Sequence, residues 1–275
     1  MKDIGGRMQT FTHGKYLGQN TEQVILDGLT ITTSSYKDAI CSDWHQHENV
    51  YMTFILKGGS REKRKGVEID CTPGMLLLYS QQVLHKNLNY KSNSKNLHLE
   101  FDDSWFKKFD IDIANFEGRY LVDSPLLKCR LLNTIAELPV FDKQAAINLE
   151  TTLIAAISAY TGTVESKNMP GWVKKLFELL HDDPETEWSL HELSHKVNVH
   201  PITISKYFPR YFKSNIGDYI RMIKIEKSLP LLSQKSIAME AVAVKSGFVD
   251  NAHYTRVFKK HTGISPSYYR ALVTC

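Results

Sequence analysis

The heptapeptide Ile204-Ser205-Lys206-Tyr207-Phe208-Pro209-Arg210 returns, at an offset of 50 residues, as Tyr254-Thr255-Arg256-Val257-Phe258-Lys259-Lys260. The same offset pairs Tyr219 with Tyr269. In each copy a hydroxyl residue and a cation precede an aromatic, then further residues including cations, then a turn and a tyrosine. A repeat of this kind reports a duplicated supersecondary unit. Here the unit reads as a helix-turn-helix, present twice.

Working outward, Ser189 with Glu192 three residues on forms a capping box that opens a helix at Leu190. Asn198 supplies a turn, and His200-Pro201 starts a second helix with proline in its first turn. Leu193, Val197, Ile204 and Phe208 give this pair its apolar seam. The arrangement recurs from Met239 through Ser246-Gly247-Phe248 into residues 250–260, with Gly247 at the turn and Asp250 as the cap. Residues 217–232 read as the connecting helix, with Tyr219, Ile220, Ile223 and Leu231 facing inward. About 15 residues at 1.5 Å each span roughly 22 Å, so two recognition helices can enter successive major grooves about 34 Å apart. Ahead of these, Trp172, Val173, Leu176, Phe177, Leu179 and Leu180 form an amphipathic helix stopped at His181-Asp182-Asp183-Pro184.

Charge follows this division. The 275-residue chain carries a net charge of +4. From Trp188 onward, thirteen Lys/Arg stand against five Asp/Glu, a surplus of eight that leaves the remainder at −4. Positive charge gathered in one domain is the footprint of a polyanion partner, although a basic face can also be merely solvated. Cys41, Cys71, Cys129 and Cys275 lack C-x-x-C spacing, which argues against a zinc ribbon or disulfide scaffold. No apolar run reaches the roughly 18 residues of a membrane span, and residues 1–10 lack a secretory apolar region. The expectation is a cytoplasmic protein that does not engage a membrane.

The N-terminal half reads differently. Residues 24–26, 29–32, 50–56, 67–69, 75–79 and 97–101 are short apolar or alternating segments punctuated by Gly58-Gly59, Pro73-Gly74 and Ser92-Asn93, the pattern of a β-barrel or sandwich. His45 and His47 are two apart, so on a strand they share a face. Together with His85 they can bind a metal or a polar ligand. From 105 to 160 the period becomes helical, with Leu126, Leu127, Leu131, Leu132, Ile135 and Leu138 in one run and Ile147, Leu149, Leu153, Ile154, Ile157 and Tyr160 in another. Pro139 separates them, which predicts a helical hairpin packed on the barrel; the hairpin either covers the barrel or makes a dimer contact. Residues 161–171 are small and polar and end in Pro170-Gly171, marking a linker. The expected division is a sensing or dimerisation domain at 1–162, a linker at 163–170 and a DNA-binding domain at 171–275.

Gly247-Phe248, the stretch 254–260, Gly263-Ile264-Ser265-Pro266 and Tyr269-Arg270 resemble the signature of the AraC/XylS family of bacterial transcription regulators. The resemblance implies an all-α domain of seven helices with two helix-turn-helix units, joined to a variable N-terminal domain. It also implies base-reading positions: Ile202, Ser205 and Lys206 in the first recognition helix and Asn251, Ala252 and Arg256 in the second. Arg256 suits guanine, Asn251 adenine, and Lys206 guanine or phosphate, while Ile202 and Ala252 offer apolar contact to a thymine methyl. Thr203 and His253 are polar neighbours, and Lys259 and Lys260 read as phosphate contacts. The chain departs from the family pattern at Lys213 in place of glycine, Lys224 in place of arginine and Ala241 in place of glutamate. Pro230 falls in the last turn of the connector, where it is expected to end or bend the helix early.

The N-terminal half is similar to the cupin barrel, whose H-x-H motif is met by His45 and His47 and whose second motif is met loosely by Gly74, His85 and Asn89. Tyr51 and Met52 stand where that motif has a carboxylate, and Glu100 can supply one from a neighbouring strand. The expected fold is thus α+β in two domains: a cupin-like barrel with a helical hairpin, then an all-α domain with two helix-turn-helix units. The expected function is a sequence-specific regulator of transcription, an activator, that binds double-stranded DNA and is not an enzyme. Its effector is expected at His45, His47, Tyr51, His85 and Glu100, with no cofactor. A homodimer through the N-terminal domain and RNA polymerase are the other expected partners. Two rivals are a metal-dependent cupin enzyme fused to a DNA-binding module and a regulator whose N-terminal half only dimerises or binds a protein.

Overall fold

A computed structural model describes residues 9–38, 40–64, 66–112, 121–161, 170–182, 186 and 188–274. Two compact units emerge: Met1–Asp123 with Leu138–Phe141 and Val273–Cys275, and Ser124–Glu137 with Asp142–Leu272.

The first unit holds two five-stranded sheets. One runs β1 (Gln9–Phe11), β4 (His45–His47), β9 (His85–Leu88), β6 (Ser60–Arg64), β7 (Val67–Cys71); the other runs β2 (Gln19–Ile25), β3 (Leu29–Tyr36), β10 (Ser94–Phe101), β5 (Val50–Lys57), β8 (Leu76–Tyr79). Both β10 and β5 are almost wholly buried, and Phe101 at the end of β10 packs against Trp105 and Phe106 of α1 (Asp103–Lys108), with ring centroids 4.7 Å and 5.7 Å apart. Glycines take the left-handed turns: Gly59 has φ +99°, and a Cβ there would stand 1.9 Å from the carbonyl oxygen of Cys71. The sheets include four strands beyond the six segments expected, namely β1, β4, β6 and β9. All four are short and carry charged or polar residues, so hydropathy does not mark them.

The second unit is helical. It contains α2 (Pro125–Glu137), α3 (Lys143–Thr161), α4 (Gly171–Asp182), α5 (Leu190–Val197), α6 (Pro201–Phe212), α7 (Ile216–Leu232), α8 (Met239–Lys245), α9 (Asn251–Thr262) and α10 (Pro266–Thr274). The hairpin expected to pack on the barrel falls in this unit, where α2 lies against α7 and α9. Leu127, Leu131 and Leu132 of α2 and Leu149, Leu153 and Ile157 of α3 are buried. The linker expected at 163–170 lies, up to residue 169, outside the described residues.

The helix ends follow their capping chemistry. Ser189 and Glu192 form the complete capping box, Asn198 adopts φ +55° at the first turn, and the Asp250 carboxylate accepts the His253 backbone N–H at 2.6 Å. Pro230 does not end α7, which continues to Leu232. In a last turn proline deletes only one intrahelical bond, and Ser233 N–H still reaches the Leu229 carbonyl at 3.2 Å.

Candidate functional site

In each helix-turn-helix the second helix is fixed by a buried apolar seam and turns its other face outward. In the first unit Leu193, Val197, Ile204 and Phe208 are buried between α5 and α6, and Phe208 stacks on Phe212 with ring centroids 4.2 Å apart. Ile202, Ser205, Lys206 and Arg210 face outward, with Thr203 half-buried. Ile202 is 69% exposed, an apolar side chain that nothing in the fold covers.

In the second unit Val242, Ala243, Tyr254, Val257 and Phe258 are buried. The Tyr254 hydroxyl donates to Ser228 Oγ at 2.9 Å, which seats α9 on the connector. Lys224 donates from Nζ to the Gly247 carbonyl at 2.6 Å, tying the same connector to the second turn. Gly247 has φ +82°, and a Cβ there would stand 3.2 Å from the Lys224 side chain. Ala252, Arg256, Lys259 and Lys260 are exposed, and Asn251 and His253 are half-buried. Lys260 Nζ lies 3.3 Å from Asp218 of the connector, an exposed contact that is weak in water. Asn251 Oδ1 is buried without a hydrogen-bond partner among the described residues. Pairing both amide atoms with adenine therefore requires that side chain to turn.

A different site lies inside the β unit. A cavity of about 30 Å³ is bordered by His45, His47, Tyr51, His85, Asn87 and His98, among others. His45 on β4 pairs directly with His85 on β9, and this is the single register pair between the two strands. Nδ1 of His45 faces the Asp43 carbonyl at 2.9 Å, and Nδ1 of His85 faces the Val83 carbonyl at 2.9 Å. A carbonyl only accepts, so each Nδ1 carries the proton and each Nε2 presents a lone pair. Tyr51 reaches His85 Nε2 at 3.1 Å. Phe11 stacks on His47 with centroids 5.1 Å apart and meets His45 edge-on. One ring nitrogen from each of His45, His47 and His85 lies within 4.8 Å of the others.

Burial sets the protonation of these groups. Desolvation pulls His47 down to about 2, helped by neighbouring imidazoles, and His85 down to about 4 against the attraction of Glu62. His45 is lowered for the same reason. All three are neutral at physiological pH. Beside them Glu62 and Arg64, both nearly inaccessible, form an ion pair on β6. Glu62 also accepts from the Tyr79 hydroxyl and, at 3.3 Å, from Asn87 Nδ2.

Of the residues expected to receive an effector, His45, His47, Tyr51 and His85 border one cavity, and Glu100 does not. Its carboxylate is occupied by the Gly14 N–H at 2.7 Å, the Tyr16 hydroxyl at 3.0 Å and Asn49 Nδ2 at 2.9 Å. Sequence reasoning missed Glu62, Arg64, Asn87 and His98. The signal for Glu62 and Arg64 was their period of two along β6, obscured because the opposite face carries Arg61 and Lys63.

Comparison with known proteins agrees with the C-terminal geometry. Residues 193–272 match a family described as a helix-turn-helix domain. The chain is similar to the HTH-type transcriptional regulator MtrA of Neisseria gonorrhoeae, 27% identical over 110 residues that cover 37% of this chain and 35% of that one. It is also similar to the HTH-type transcriptional activator CfaD of Escherichia coli, 23% identical with 50% and 53% covered. An uncharacterized HTH-type regulator of Bacillus subtilis, YobQ, is 23% identical with 82% and 89% covered. Several of these matches, MtrA among them, span only about a third of the relative's length. Among solved structures, ToxT of Vibrio cholerae is 16% identical with 90% and 99% covered and a TM-score of 0.38. The duplicated helix-turn-helix over residues 193–272 is a domain of the AraC/XylS type.

Proposed function

We propose that the chain is a sequence-specific, DNA-binding activator of transcription whose N-terminal barrel receives a small effector. The observation that carries this reading is the exposed face shared by the two scaffolds: Ile202, Ser205 and Lys206 on α6, and Ala252, Arg256 and Lys259 on α9, above fully buried seams. Arg256 pairs with guanine, Lys206 with guanine or phosphate, and Ile202 and Ala252 with thymine methyl groups. Thr203, His253, Lys259 and Lys260 hold the backbone. The connector α7, 17 residues long, extends about 25 Å at 1.5 Å per residue. That length suits two entries on one DNA face.

In this reading residues 1–162 sense and dimerise, 163–170 link, and 171–275 read DNA. The effector acts by population shift, favouring the arrangement in which both reading helices engage. Helix α2 lies against α7 and α9. RNA polymerase is the further partner of an activator, and the reading assigns no catalytic step to the chain. Selection of bound DNA from a random pool with the full-length chain tests the proposal. A recovered motif with one or two half-sites is expected; a pool without enrichment overturns it.

A further inference from the structure

We propose that the barrel is closed by one of its own side chains, Tyr16, and that its effector is a small neutral phenol that takes the place of this ring; the inference rests on the regulator reading above. Tyr16 lies in residues 12–18, the connection between β1 and β2, which forms turns and bends but no helix or strand. Its neighbours Thr12, His13 and Lys15 are exposed, whereas Tyr16 is only 8% exposed and borders the cavity. A ring carried into the barrel by an exposed loop occupies it as a bound molecule would. Size agrees with this. A cavity of about 30 Å³ holds roughly one or two waters, whereas one that binds benzene measures about 150 Å³. An aromatic ligand therefore enters only when Tyr16 leaves.

The surface against Tyr16 suits a flat, hydroxylated ring. Asn96, His98 and Glu100 alternate along β10 and so share one of its faces. Tyr16 stacks on the His98 imidazole with planes 8° and centroids 3.7 Å apart, meets Tyr51 edge-on at 5.9 Å, and donates its hydroxyl to Glu100 Oε2 at 3.0 Å. Burial and then the Glu100 charge raise the Tyr16 pKa, so the phenol stays neutral and keeps the proton it donates. The same carboxylate repels an anionic ring such as benzoate. Two more polar atoms beside the cavity are idle: Asn96 Oδ1 and His47 Nδ1 have no hydrogen-bond partner among the described residues, on side chains whose residues are 2% and 4% exposed. Unpaired buried polar groups are costly. A phenol with a second hydroxyl can satisfy one of them, which Tyr16 cannot, since its one polar side-chain atom is spent on Glu100. That surplus is what lets a free ligand compete with a tethered ring, whose effective concentration is high.

Around the ring, the strap lies on the barrel through polar contacts. Glu100 accepts the Gly14 N–H at 2.7 Å, Asn20 Nδ2 donates to the Gly14 carbonyl at 2.8 Å, and His13 Nε2 meets Thr30 Oγ1 at 2.6 Å. The last two are only part-buried, and water replaces such bonds at little net cost. Expelling the ring therefore loosens the strap. Ring in and ring out are two states whose populations a ligand biases.

The test uses the full-length chain and p-cresol, which is the tyrosine side chain as a free molecule. By calorimetry Tyr16→Ala is expected to bind p-cresol at one site, at least about tenfold more tightly than the wild type, whose own ring competes for the place. Toluene, without the hydroxyl, and benzoate, with a charge, bind that variant about tenfold more weakly than p-cresol. Circular dichroism reports whether Tyr16→Ala folds. Tyr16→Phe keeps the ring but loses its bond to Glu100, and its affinity for p-cresol is expected to fall between the two. The three hydroxybenzyl alcohols place a second hydroxyl at each ring position; at least one binds the wild type more tightly than p-cresol, and Asn96→Leu or His47→Leu removes the gain. Displacement is read separately by trypsin, because Lys15 adjoins Tyr16: a ligand that expels the ring speeds cleavage after Lys15 by about fivefold or more, as the open population rises. DNA affinity with and without that alcohol is compared on the sequence recovered from the pool, and a change of about fivefold or more is expected. No p-cresol binding by either Tyr16 variant, unchanged cleavage at Lys15, or unchanged DNA affinity overturns the proposal. A recovered motif with no phenol binding leaves the regulator reading standing; phenol binding without any motif removes that reading and leaves the displaceable ring.

Discussion

Lys128 of α2 and Glu226 of α7 form an ion pair in which the ammonium is nearly inaccessible, 5% exposed, and the carboxylate is one-quarter exposed. A hairpin helix is thereby joined electrostatically to the connector between the two reading helices. Removing one partner of a buried pair costs about 3–5 kcal/mol because the other charge is left in a poor solvent. Glu226→Ala is therefore expected to lower stability by about 2–3 kcal/mol, less than the full value because Glu226 keeps some water. The double variant Lys128→Met/Glu226→Leu recovers most of that loss. Urea unfolding of the two variants beside the wild type checks this, and equal destabilisation by single and double variants would contradict it.

Much of the second unit was legible because helical period, caps and turns are local. Ser189, Asn198 and Asp250 act at the positions their side-chain chemistry predicts. The partner of α2 was not legible, since an apolar stripe says that a helix is covered and not by what. Glu226 gave no sign of it either, because a charged residue in a basic helix reads as solvated. In the barrel, the two-residue spacing of His45 and His47 correctly put both on one face. The charged β6 hid its inward Glu62 and Arg64, and a carboxylate at 100 looked available until its three hydrogen bonds were seen.

The two C-caps test the cost of the left-handed turn directly. Lys213 adopts φ +53° after α6, whereas Gly263 adopts φ +76° at the equivalent place after α9. A side chain with a Cβ is strained in this region. Lys213→Gly is expected to raise stability by about 1 kcal/mol. Gly263→Ala is expected to cost more than that, because its Cβ would stand 2.0 Å from Asn133 Oδ1, and that side chain is held by Glu137 at 2.8 Å. Thermal midpoints of both variants give the answer; a stabilised Gly263→Ala would refute the packing argument.

His98 makes the barrel acid-sensitive. It bridges Ser34 Oγ at 2.7 Å and Thr53 Oγ1 at 2.9 Å and stacks on Tyr16 with centroids 3.7 Å apart. Burial pulls its pKa down to about 3. The unfolded chain takes up a proton near 6.5 and the folded chain does not, so the unfolded state binds more protons and stability falls as pH drops from about 6.5 toward 3. At pH 5 this one residue lowers stability by about 2 kcal/mol relative to neutral pH. The stability gap between the wild type and His98→Gln should narrow by about that amount between pH 7 and pH 5. A gap that stays constant would mean that His98 is protonated in the folded state.

The last expectation concerns the inequality of the two reading helices. Arg256 is exposed on a helix held by two ties to the connector region: Tyr254 to Ser228, and Lys224 to the preceding turn at Gly247. A bidentate guanine contact needs that rigidity, because its discrimination depends on fixed geometry. On α6 the corresponding cation is Lys206, a flexible point charge lying 5.4 Å from the Tyr207 ring. Arg256→Ala is therefore expected to lose roughly 1–3 kcal/mol at one base position and to relax preference there. Lys206→Ala should weaken all sequences more evenly and lower the salt dependence of binding by about one ion. Single-base substitution across the selected site, measured at two salt concentrations, separates the two behaviours. Uniform weakening by Arg256→Ala would make it a phosphate contact and remove the asymmetry.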